Sequence, residues 1–188
     1  QKLRAAGREP LDACALIFAL LLDRDPAVQA RQFASGGGAS SQAAILEYKR
    51  CFDLAPLTEY VPLIELAIPA LKNLSDRQYA AFQAALLAFI QADDEFSFRE
   101  WILYQLIVSQ VGAQYAAVER RPATPTQGEI KAATESLLAA LAWREPDPAK
   151  AGGAYAAGLR AMGLPAADLA PRPAMEALTK SMQTLQRS

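Results

Sequence analysis

Asp93, Asp94 and Glu95 stand at consecutive positions of a 188-residue chain, and their types and spacing come nearest to chemistry. Adjacent carboxylates offer the oxygen ligands that calcium and magnesium favour, and Glu59 or Glu65 from a neighbouring helix would complete a weak site. An EF-hand is excluded, because its loop needs Gly at the sixth position and Glu at the twelfth. Counted from Asp93 these positions hold Phe98 and Tyr104, and counted from Asp94 they hold Arg99 and Gln105. A second reading gives the same acids a structural part: they precede a helix whose N-terminus carries partial positive charge, an attraction of some tenths of a kcal/mol.

No other reactive set is expected. The chain has no His, which removes Ser-His-Asp and Cys-His catalysis and every His-ligated metal site. Cys14 and Cys51 are its only cysteines and lack CxxC spacing, so the expectation is two buried thiols in a reducing compartment. Gly36-Gly37-Gly38 joins two helices with no strand before it, which suits a loop and not a phosphate cradle. Tyr60, Tyr79, Tyr115 and Tyr155 have no basic neighbour in sequence to make them general acids. No residue is therefore assigned a catalytic role.

The elements that must position these residues are helices. Pro10 suits a first helical turn, where its missing N–H costs nothing, and the apolar run from Ala13 to Leu22 makes a buried helix. Asp25-Pro26 opens a second helix, and Ser40 or Ser41 caps a third through Cys51. Thr58 is placed to cap a fourth, Glu59 to Lys72, with Val61, Ile64, Leu66, Ile68 and Leu71 on its apolar face. Pro69 predicts that this helix bends or ends early. Ser75 and Gln78 form a capping box with Leu74 and Tyr79 as its hydrophobic staple. Ser97 and Glu100 repeat the design, with Phe96 and Trp101 as the staple. Phe82, Phe89, Phe98, Trp101 and Tyr104 fall at helical spacings that suit a core. Thr126 and Glu129 form a third capping box, Asp147-Pro148 opens an Ala- and Gly-rich helix, and the last helix runs from Ala174 to about Gln186. Its stripe of Met175, Leu178, Met182 and Leu185 either docks on its own domain or binds a partner helix.

These signals predict an all-α bundle of about eight or nine helices. They divide it into a core over 10–113, a linker over 114–125 and an Ala-rich helical extension over 126–188 packed on the core. With 52% hydrophobic residues the chain buries a core without a metal or disulfide staple. A net charge of −1 argues against nucleic acid, whose binding rests on clustered Lys and Arg; Lys49-Arg50 and Arg120-Arg121 read as solvated helix surface. The apolar run at Ala13 is about half of the roughly 20 residues that a membrane span requires. The start at Gln1, without Met and close to a helix, suggests a piece of a longer protein.

The opening EPLDACALIFALLLDRDPAVQARQF and the central PLIELAIPALKNLSDRQYAAFQAALLAFIQADDEFSFREWILYQL resemble the C-terminal region of bacterial membrane-anchored zinc metallopeptidases, the class that includes HtpX and the CAAX prenyl proteases. The resemblance covers roughly residues 10 to 108 and implies a TerB-like helical core in the first two-thirds of the chain. Where the family's turn carries Gly after Asp, this sequence has Asp94 or Glu95. The implied parent has membrane helices and an HExxH zinc peptidase domain upstream, so zinc and catalysis belong to the parent. This part is then a regulatory or interaction domain at the cytoplasmic face of the inner membrane, itself not spanning it. Its partners would be its own peptidase domain, protein substrates or a second copy. The alternative is a free-standing TerB-like, metal-responsive stress protein or helical interaction module.

Overall fold

A computed structural model of the chain describes residues 2–36, 40–52, 60–92, 97–115 and 124–187, the side chain of residue 113 excepted. Ten α-helices and no strand occur among the described residues: α1 (Lys2–Ala6), α2 (Pro10–Leu21), α3 (Pro26–Ser35), α4 (Gln42–Phe52), α5 (Tyr60–Leu71), α6 (Asp76–Ile90), α7 (Phe98–Tyr115), α8 (Gln127–Ala142), α9 (Pro148–Ala161) and α10 (Met175–Gln186). The fold is all-α. Its first helix, five residues long, is the one that the sequence does not announce. The helices form two compact units, residues 1–117 and 118–188.

In the first unit α2 is the axis. Every residue from Ala13 to Leu22 is buried, as expected of a helix that is apolar all round, and α1, α4, α5 and α6 pack against it. Phe18 meets Phe82 and Phe89 edge-on, with ring centroids 5.8 and 5.1 Å apart. A buried helix end leaves carbonyls that water cannot reach, so side chains must satisfy them. Gln32 Nε2 donates to the Leu21 carbonyl, Lys49 Nζ to that of Leu22 and Gln29 Nε2 to that of Asp23, at 3.2, 3.0 and 2.8 Å. Gln32 is itself buried, and its Oε1 accepts from the Asp23 N–H.

The structure corrects the reading of α5 in two ways. Pro69 does not end the helix: it continues to Leu71, and the Lys72 N–H still bonds the Ile68 carbonyl at 3.0 Å. The buried face is Tyr60, Ile64, Ala67, Ala70 and Leu71, whereas Val61 and Leu66 are 45% and 38% exposed. Small Ala side chains let α5 lie close to α2, with Ile64 and Leu71 buried on the same face. The α5 carbonyl end is closed from α7, where the Tyr115 hydroxyl lies 2.7 Å from the Leu74 carbonyl and 3.0 Å from that of Leu71, and Gln114 Nε2 donates to that of Lys72 at 2.6 Å.

In the second unit α8 packs against both α9 and α10. Ala139, Ala142, Tyr155 and Leu159 make its core, flanked by Leu138, Leu164, Leu169 and Ala170. Gly158 permits this closeness, because a Cβ there would lie 2.9 Å from Leu138 Cδ2. The Trp143 indole N–H donates to the Ala170 carbonyl at 2.9 Å, pinning the extended segment before α10. The α10 stripe is turned into its own unit: Leu178 is buried and Met175, Met182 and Leu185 are half-buried.

Candidate functional site

Asp93, Asp94, Glu95 and Phe96 lie outside the described residues, as does Glu59, while Glu65 is exposed on α5. Among the described residues no three His, Cys, Asp or Glu side chains come together as a metal-binding group.

The capping residues are placed by local geometry. Ser75 Oγ accepts from the Gln78 N–H at 3.3 Å while Gln78 Oε1 accepts from the Ser75 N–H at 2.9 Å, so two otherwise orphaned donors at the start of α6 are satisfied reciprocally. Leu74 and Tyr79 on either side are both buried. At α7, Ser97 Oγ accepts from the Glu100 N–H at 3.4 Å, Glu100 is buried, and Trp101 stacks on Phe98 with centroids 5.5 Å apart. The Thr126–Glu129 pair at α8 is reciprocal like that of α6, and Thr126 holds the Glu129 carboxyl below its ordinary value through backbone N–H and hydroxyl bonds.

A polar cluster that sequence reasoning misses joins α1, α2 and α4. The Tyr48 hydroxyl donates to Asp12 Oδ1 at 2.8 Å and lies 3.2 Å from the Lys2 carbonyl oxygen. Lys2 Nζ is 2.9 Å from Glu47, 3.6 Å from Asp12 and 5.1 Å from the centroid of the Tyr48 ring. Burial, and next the bond to Asp12, push the Tyr48 hydroxyl well above the usual tyrosine range. Such a phenol holds its proton and is a poor acid. The cluster acts as a clamp that fastens α1 to the bundle. Its members are 36 and 46 residues apart, and no local motif signals a contact of that range.

The cysteines differ from each other. Cys14 is buried, and desolvation pushes its thiol up to about 12. Cys51, expected in the core, is exposed and donates to the Glu47 carbonyl at 3.4 Å. It sits on the outward side of α4, whose buried face is Ile45, Tyr48 and Phe52.

Two surface features remain. A cleft of about 390 Å³ opens between α3, α4 and α6, with Phe33, Ile45 and Phe89 as apolar lining and Ser41 and Gln42 at its polar edge. Elsewhere the outward face of α5 exposes Val61, Pro62, Leu66 and Pro69 in one helical row, interrupted only by Glu65. No family model, curated protein or solved structure matches the chain. No helix among the described residues is long and apolar enough to cross a membrane.

Proposed function

We propose that this chain is a non-catalytic helical interaction domain, carried as the C-terminal regulatory part of a membrane-bound zinc metallopeptidase on its cytoplasmic side. The observation that carries the interaction reading is the outward row of α5, where Val61 and Leu66 stay 45% and 38% exposed on a helix whose other face is core. Apolar residues scattered singly over a surface need no explanation, but a row on one helix face is the form in which helices meet partners. The peptidase assignment rests on the resemblance of residues 10 to 108, and the absence of His from the chain leaves an HExxH site to an upstream domain. The partner is then the peptidase domain of the same protein, and the α5 row is the surface that regulates it.

Two measurements test the two parts separately. The coding sequence upstream of Gln1 is expected to contain HExxH and membrane helices, and its lack of either would end the peptidase assignment. A Val61→Asp, Leu66→Asp variant is expected to keep its helical circular dichroism and to lose at least ten-fold in affinity for the upstream domain. Unchanged affinity would overturn the α5 surface. Zinc-dependent, chelator-sensitive peptide hydrolysis by the isolated chain would overturn the non-catalytic assignment.

A further inference from the structure

We draw no further inference here: the strongest candidate, the cleft between α3, α4 and α6 lined by Phe33, Ile45 and Phe89, carries nothing because nothing in the structure shows what fills or covers it.

Discussion

Tyr79 is buried and stacks on Tyr115 at 4.2 Å, yet its hydroxyl has no hydrogen-bond partner among the described residues. A buried hydroxyl without a partner costs roughly 1–3 kcal/mol, so Tyr79→Phe is expected to raise stability by about 1 kcal/mol in urea unfolding. Gly112 on α7 is the complement of that hydroxyl, because a Cβ at position 112 would approach it to 2.9 Å. The stacked ring has little room to retreat. Gly112→Ala should therefore destabilise the native chain, and the same change in a Tyr79→Phe background should become stabilising by about 1 kcal/mol, the ordinary gain of Ala over Gly inside a helix. A double-mutant cycle reads both effects, and the same sign in both backgrounds would remove the steric account. Nothing in the sequence around either residue announces this pair, since positions 79 and 112 meet only when α6 and α7 pack.

At the scale of the element, helix ends are legible where the cap and its partner are three residues apart. Ser75 with Gln78 and Thr126 with Glu129 are read directly from sequence because the hydrogen bonds are local. Ser75→Ala is expected to lower stability by about 1 kcal/mol, and an unchanged melting temperature would contradict the cap's contribution. The α5 helix shows where local reasoning fails. Apolar spacing alone puts Val61 and Leu66 with Ile64, but the face is chosen by how closely α2 can be approached, and Ala67 and Ala70 win. Pro69 falls on the exposed side. There its missing N–H and its ring disturb a solvated part of the helix, and the packed face carries the turn. Restoring the N–H with Pro69→Ala should stabilise the protein by about 1–2 kcal/mol, less than the roughly 3 kcal/mol of a fully buried helix interior, because Pro also restricts the unfolded chain. Thermal unfolding checks the sign.

Across the whole molecule burial pushes one thiol and several tyrosine hydroxyls in the same direction. Burial raises Cys14 from its ordinary 9.0 to about 12, and raises Tyr48, Tyr79 and Tyr115 above the tyrosine value of 10.0. Each group keeps its proton in the folded chain at a pH where the unfolded chain has released it. The unfolded state then binds fewer protons, so stability is full below about pH 9 and falls as pH rises toward 12. Denaturant unfolding at pH 7, 9 and 10.5 is expected to show that decline, and a flat profile would contradict the burial of these groups in solution. All four lie in the unit of residues 1–117, whereas residues 118–188 contribute Tyr155, raised in the same direction. What the sequence determined by itself is the all-α class and the α6 and α8 starts, because helix period and caps act over three or four residues. That the chain carries no His is likewise fixed by composition alone. Only the tertiary structure decided which face of α5 is core, that Cys51 is exposed, and that Tyr48 clamps α1 through Asp12 and Lys2. Those outcomes depend on close approach between helices distant in sequence, where packing overrides the preference of any single helix.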